Sequence, residues 1–355
     1  MLELFKGWYD RYFSEPEAAL LCAVLLLAFL SLAFFGKMLA PCLASIVIAY
    51  LLEASVSYLQ ASGLRRFHSV CLVFGVFLLT LVFLLVGLVP LVSTQLTSFA
   101  QDLPETISSW RAHLMLLPDR YPNLLTSGQI DSLMSGIKTE ISQLGQNVLT
   151  FSIASIPAIV TILIYFVLGP VLVFFFLKDK SQIVAWFTTY LPKDRAVLRA
   201  VWRDVDDQIG NYVRGKVYEI FIVGFVSFLA FHLLGMSYAP LLAVITGISV
   251  IIPFIGAAIA TIPVAIAAYI QFGFSGDDFV WVMIAYAVIQ LLDGNLLVPL
   301  LFSDVVNLHP VAIITAVLVF GGLWGVWGVF FAIPLATLVR SLLKAWPKKL
   351  ETPPT

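Results

Sequence analysis

Charge is what this sequence has least of. Asp, Glu, Lys and Arg make up 12% of 355 residues while 61% are hydrophobic, and the mean hydropathy is +1.00. Soluble domains run at about a quarter charged and near half apolar, so a soluble globular fold is excluded and an integral membrane protein is implied. Concentrated positive charge is missing too: the formal net charge is −1. Binding a phosphate backbone needs clustered cations, which removes nucleic acid as a partner. The three cysteines, Cys22, Cys42 and Cys71, lie in or beside apolar runs and form no C-x-x-C pair, which argues against a disulfide framework and for membrane packing. The four histidines are scattered and no H-E-x-x-H occurs, so neither a metal nor another cofactor is expected. No nucleophile stands with a visible base, and an enzyme is not expected. No small-residue cleavage site follows the first apolar run, so that run is expected to stay as an anchor. Lysine and arginine vanish between Val217 and Val339, where the ionised residues expected are Asp277, Asp278, Asp293 and Asp304.

What is abundant is apolar length. Crossing the hydrocarbon takes about 20 apolar residues in a helix, and residues 18–36, 38–60, 69–93 and 153–177 read as four spans. Residues 94–150 mix five acids with Arg111, Arg120 and Lys138, whereas 178–216 hold eight Lys and Arg against five acids. The positive-inside rule makes the second stretch cytoplasmic, in agreement with Arg65 and Arg66 and with Arg340, Lys344, Lys348 and Lys349. Both termini are then expected in the cytoplasm and 94–150 outside. Val197, Val201, Val205, Ile209 and Val213 recur at helical spacing and predict an amphipathic helix near the inner surface. The outward segment should be helical in pieces, punctuated by Pro104, Pro118 and Pro122; both a lid and a solvated connector fit it.

The last third differs. As straight helices, 237–271 and 311–339 would be about 50 and 40 Å long, too long for one ordinary crossing. The first breaks at "PFIGA" (253–257) and the second at "FGGLWGVWG" (320–328), which fits two helical hairpins, re-entrant or fully crossing. The expected fold is an all-α polytopic membrane protein of about eight membrane segments. Its parts are 1–93 with three spans, the outward 94–150, a fourth span in 151–177, and the basic 178–216. A membrane core over 217–340 holds the hairpins, and a tail over 341–355 ends the chain.

The candidate site is "LLDGNLLVPLLF" (291–302). An aspartate at a helix centre costs about 2.5–3.5 kcal/mol on insertion scales, so an intramembrane carboxylate is a functional candidate by default. Asp293 and Asn295 stand about 200° apart on an intact helix, too far round to share a ligand. Gly294 loosens the helix, and Pro299 cannot donate to the carbonyl of Asn295. A break here would gather a carboxylate, an amide and a free carbonyl for a proton, a sodium ion or a polar solute. The alternative is an interfacial, hydrated Asp293 that merely ends a helix. Pro253 and Gly256 fit a hairpin tip on the pathway or a kink in a packing helix. Gly321, Gly322, Gly325 and Gly328 fit close helix packing first and a turn second. His309 is a candidate proton site or a structural cap. "GNYVRGKV" (210–217) matches G-x-x-x-x-G-K but is followed by neither Ser nor Thr, so nucleotide binding is rejected. "SGIK" (135–138) lacks the companion motifs of penicillin-binding enzymes.

The segments "FSEPEAALL", "APCLASIVIAYLLE", "FFLKDK", "NYVRGKV", "PFIGA", "LLDGNLLVPLLFSDVVNLHPVAII" and "FGGLWGVWGVFFAIPLATLV" carry a resemblance over almost the whole chain. The sequence resembles the PerM-type permeases of the autoinducer-2 exporter family. The resemblance implies a polytopic bacterial inner-membrane protein with a long extramembrane stretch after the third span, and a homo-oligomer. It also implies export of a small polar solute such as autoinducer-2, or sodium/proton exchange. The family's acid, asparagine and proline fall on Asp293, Asn295 and Pro299, and its proline-glycine turn on Pro253 and Gly256. Many members have glutamate at the position of Asp293 and proline at that of Ala257. The expected function is thus a permease or secondary transporter in contact with membrane lipid, its site at Asp293, Gly294, Asn295 and Pro299. A sodium(lithium)/proton antiporter is one alternative. A non-transporting scaffold that binds envelope proteins through 94–150 is another.

Overall fold

The structure is a computed structural model that describes residues 16–115, scattered positions between 128 and 143, and 156–190, 196–253, 255–273, 276–302 and 308–345. Pro118, Pro122, Lys138, Asp304, Lys348 and Lys349 lie outside the described residues. Those described form helices and turns, with no strand among them. Among the described residues, six helices are long and apolar enough to cross a membrane, against the eight segments expected for the whole chain.

The first difference is at the start. Helix α1 (Pro16–Ala61) runs 46 residues without interruption, about 70 Å at 1.5 Å per residue. The spans expected at 18–36 and 38–60 are therefore one helix. Between them the sequence offers only Gly36 and Lys37, which is not a turn signal. Pro41 is absorbed inside the helix, where Ser45 Oγ donates to its carbonyl at 2.7 Å and to the Gly169 carbonyl at 3.2 Å.

Helix α2 (Arg66–Phe83) continues through a π-helical turn at Leu84–Leu88 into α3 (Val89–Leu114). The third span thus runs on into the segment expected outside. There Gln95 Oε1 accepts from the Leu241 N–H at 3.0 Å, the Tyr238 hydroxyl donates to the Asp102 carboxylate, and Trp110 lies 5.4 Å from Tyr269. Burial, reinforced by the Asp102 charge, pushes the Tyr238 hydroxyl up to about 12, so it remains a donor. Residues 95–110 are a docked helical extension rather than a free connector.

The opposite, basic end is held by one carboxylate. Glu53 accepts from Arg66 through both oxygens at 3.1 and 3.2 Å and pairs with Lys180 at 3.3 Å. Arg66 Nη2 also donates to the Leu177 carbonyl at 2.6 Å, at the C-terminal end of α4 (Ile156–Lys178) where a cation is favoured. Helix α5 (Lys180–Thr189) follows. Charge-assisted bonds contribute about 1.5–3 kcal/mol, so Glu53→Gln should lower the midpoint of thermal unfolding in detergent. An unchanged midpoint would show that this node does not hold α1, α2 and α4 together.

Helix α6 (Ala196–Leu233) is continuous, so the boundary expected at 216 falls inside it. It starts at the basic end, where the Tyr50 hydroxyl donates to the Asp206 carbonyl at 2.9 Å. It ends where Gln271 Nε2 donates to the Gly235 carbonyl at 2.7 Å. The chain then reverses into α7 (Ala239–Ser249) and, after a turn, α8 (Ile255–Phe272). Helix α7 has 11 residues, about 16 Å, roughly half of a hydrocarbon core. It lies tight on α6: a Cβ on Gly247 would stand 2.9 Å from the Ile220 carbonyl and 3.0 Å from Gly224 Cα.

Helix α9 (Asp277–Leu292), a second π turn at Asp293–Leu297 and α10 (Val298–Phe302) form the next candidate span. Both π turns are followed by Val-Pro-Leu, at 89–91 and 298–300. A proline lacks the N–H and crowds the carbonyl four residues back, and a widened turn relieves that conflict without ending the helix. A second hairpin closes the chain, α11 (Pro310–Phe330) and α12 (Ala332–Ala345). Gly325 takes φ +61° and ψ −138°, a conformation open mainly to glycine. A Cβ on Gly328 would overlap the Phe320 carbonyl, and one on Gly321 would stand 2.8 Å from Val329. Residues eight apart on a straight helix are separated by about 12 Å, so the chain folds back at Gly325.

Candidate functional site

The buried charges gather where the first hairpin turns. Lys216 and Glu219, three residues apart on α6, face the same way. Their side chains are 5% and 3% exposed and their charged atoms stand 2.6 Å apart. Lys216 lies about 12 Å along the candidate span Gln208–Leu233. Its ammonium also donates to the Val250 carbonyl at 2.9 Å, at the end of α7, and sits 5.2 Å from the centre of the Phe302 ring. Gly215 permits that approach: a Cβ there would stand 2.7 Å from the Phe302 ring.

The π turn that carries Asp293 packs against α6, which brings its carboxylate within electrostatic range of Lys216 and Glu219. The Asp293 Oδ1 is buried and without a hydrogen-bond partner. Higher on the same face of α9 are Gln290 and Tyr286, whose side chains interact. The Tyr286 hydroxyl donates to the Ala257 carbonyl at 2.7 Å and accepts from Thr261 at 3.3 Å. Spacings of four and three put Tyr286, Gln290 and Asp293 on one stripe beside the first hairpin.

Three expectations change. Lys216 was expected among the solvated cytoplasmic cations; it is buried in an ion pair. The expected set of ionised residues after Val217 consisted of aspartates and omitted Glu219, which is 2% exposed. The helix at 293–299 was expected to break, and instead widens into a π turn with the Val298 N–H bonded to the Asp293 carbonyl. The turn does not gather the amide with the carboxylate. Asn295 is exposed and its Nδ2 donates to the Leu291 carbonyl at 2.9 Å. Gly294 and Pro299 are exposed as well. The charged groups near Asp293 come from α6.

Pro253 and Gly256 lie in the turn of that hairpin, where a Cβ on Gly256 would overlap the Ser249 carbonyl. Gly321, Gly322 and Gly325 belong to the second hairpin, whose base buttresses the cluster: Ile313 and Ile333 pack with Tyr212 and Phe302, and Phe330 stands 6.2 Å from Tyr212. His309 sits apart, as the N-cap of α11, with Nδ1 accepting from the Val311 N–H at 3.3 Å. Protonation of Nδ1 would remove that acceptor. His309→Asn, which restores a capping oxygen, should therefore keep wild-type stability and flux, whereas His309→Ala should lose about 1 kcal/mol. Loss of proton flux in His309→Asn would instead mark a proton carrier. Among the described residues, no three His, Cys, Asp or Glu side chains are placed to hold a metal ion.

Comparison with known proteins decides the family, since residues 21–348 match the AI-2E family transporter model. The chain belongs to the AI-2E family of transporters. This AI-2E chain is 44% identical over 347 residues to "Putative permease PerM" of Escherichia coli K12, covering 98% of each chain. It is 30% identical over 312 residues to "Putative transport protein YrrI" of Bacillus subtilis, with 85% of each covered. A second Bacillus subtilis relative, "Putative transport protein YueF", is 25% identical over 320 residues. The region matched by the AI-2E model includes Lys216, Glu219 and Asp293.

Proposed function

We propose that this AI-2E family member is a secondary transporter of the bacterial inner membrane, moving a small polar solute outward with proton or cation coupling through Asp293, Glu219 and Lys216. The observation that carries the reading is the open, buried Oδ1 of Asp293 beside a buried ion pair at a hairpin turn. Buried ion pairs are weak devices for stability, because apolar replacements of similar volume do as well or better. Charge kept inside a membrane protein marks substrate paths and proton relays. Adding or removing one charge at Asp293 changes how Lys216 is shared between the two carboxylates. Lys216 in turn holds the Val250 carbonyl, so a charge change reaches the turn of the first hairpin. A sodium(lithium)/proton antiporter would use the same site with the cation as cargo.

The test is proton flux in liposomes that carry the purified protein and an internal pH dye, under imposed sodium, lithium or potassium gradients. The expected result is a cation-dependent flux in the wild type that disappears in Glu219→Gln. A flux of wild-type size in Glu219→Gln would overturn the assignment of coupling to this cluster.

A further inference from the structure

We infer that Lys216 is a tethered competitor: its ammonium fills a monovalent-cation site formed by Glu219, Asp293, the Val250 carbonyl and the Phe302 ring, and a free cation enters only when Lys216 withdraws. The inference rests on the transport reading and deepens it by naming how the site is occupied at rest.

The surroundings of the ammonium are those a small cation requires. One carboxylate stands 2.6 Å away, a backbone carbonyl 2.9 Å away and an aromatic face 5.2 Å away. Asp293 adds a second negative charge within electrostatic range and an oxygen with no partner. Carboxylate and carbonyl oxygens suit hard cations, and an aromatic face attracts any cation. A divalent ion needs more, since calcium takes about six to eight oxygens, and no third carboxylate or histidine joins the group among the described residues. A guest of single charge replaces the ammonium without changing the charge of the site.

The withdrawn ammonium has a place to go. In a helix Cα–Cβ bonds lean toward the N-terminus, so the lysine stem can swing toward the basic end of α6. One turn that way is Tyr212, 1% exposed, with a hydroxyl that is buried and unpartnered. A phenolic oxygen can accept from an ammonium. That orphaned hydroxyl has no other role in the packing, since its ring is held by Phe302 and Phe330 at 5.5 and 6.2 Å.

The experiment measures thermal unfolding of purified Lys216→Gln in detergent, with sodium, lithium, potassium or choline chloride at equal ionic strength. A ligand that binds only the folded state raises the midpoint in proportion to the logarithm of its concentration. A rise of several degrees in one of the alkali cations over choline is expected for Lys216→Gln. No such rise is expected for the wild type, Lys216→Arg or the Lys216→Gln/Glu219→Gln double variant. Equal midpoints in all four salts would overturn the inference. Should Lys216→Gln fail to fold in choline, recovery in an alkali cation or methylammonium supports the site, and equal failure in every salt overturns it. Cation stabilisation of Lys216→Gln without any flux in the wild type would leave the site standing and sink the transport reading. Wild-type flux without that stabilisation would sink the tethered site alone.

Discussion

Lys216→Met, measured in choline chloride, is expected to lose about 3 kcal/mol or more of stability, the scale on which removing one partner of a buried ion pair acts. The lost ammonium leaves Glu219, 3% exposed at its side chain, facing Asp293 with no counter-charge, and leaves the Val250 carbonyl without its donor. The two carboxylates repel each other, and Glu219 cannot move to water without opening α6 from the first hairpin. The double variant Lys216→Met/Glu219→Met removes both charges and should recover most of the loss. Comparing the two by thermal unfolding separates charge from packing. A single variant as stable as the wild type would mean that the pair is hydrated, contrary to the burial described.

Gly256→Val should be almost as damaging, and for a different reason. A Cβ at this position overlaps the Ser249 carbonyl, so even Gly256→Ala forces the turn of the first hairpin apart. Overpacking of this kind costs about 1–3 kcal/mol. The displaced turn carries the Val250 carbonyl, which is held by Lys216, so loss of flux should accompany loss of stability. Ala257→Pro is the contrasting change: the position is in the first turn of α8, where a missing N–H is tolerated. It should keep both stability and flux. Wild-type behaviour of Gly256→Val would show that the turn can relax without consequence for the cluster.

These expectations depend on features that were unequally legible in the sequence. The fold-back at Gly325 had a local signal, because four glycines interrupt an otherwise apolar run. Asp293 stood out as a carboxylate inside such a run, whereas the break expected to bring Asn295 beside it is a π turn that leaves the amide exposed. The continuity of α1 had no such signal: hydropathy measures composition and is blind to whether two apolar windows share an axis. Lys216 and Glu219 were hidden by their position at the edge of a basic stretch, where a lysine reads as a cytoplasmic marker. The usable signal was their spacing, K-x-x-E at the entry to an apolar run, which lets two charges pair on one helix face. That Lys216 meets Val250, 34 residues on, is a tertiary fact that no local pattern announces.

The central claim is that coupling runs through the half-buried carboxylate of Asp293 and not through the polar sequence around it. Proton flux in dye-loaded liposomes tests this most directly, with Asp293→Asn and Asn295→Ala measured beside the wild type under the same cation gradient. Asp293→Asn should abolish the flux, whereas Asn295→Ala, which removes an exposed amide bonded to its own helix, should leave it near the wild-type rate. Undiminished flux in Asp293→Asn, or loss of flux in Asn295→Ala alone, would contradict the account.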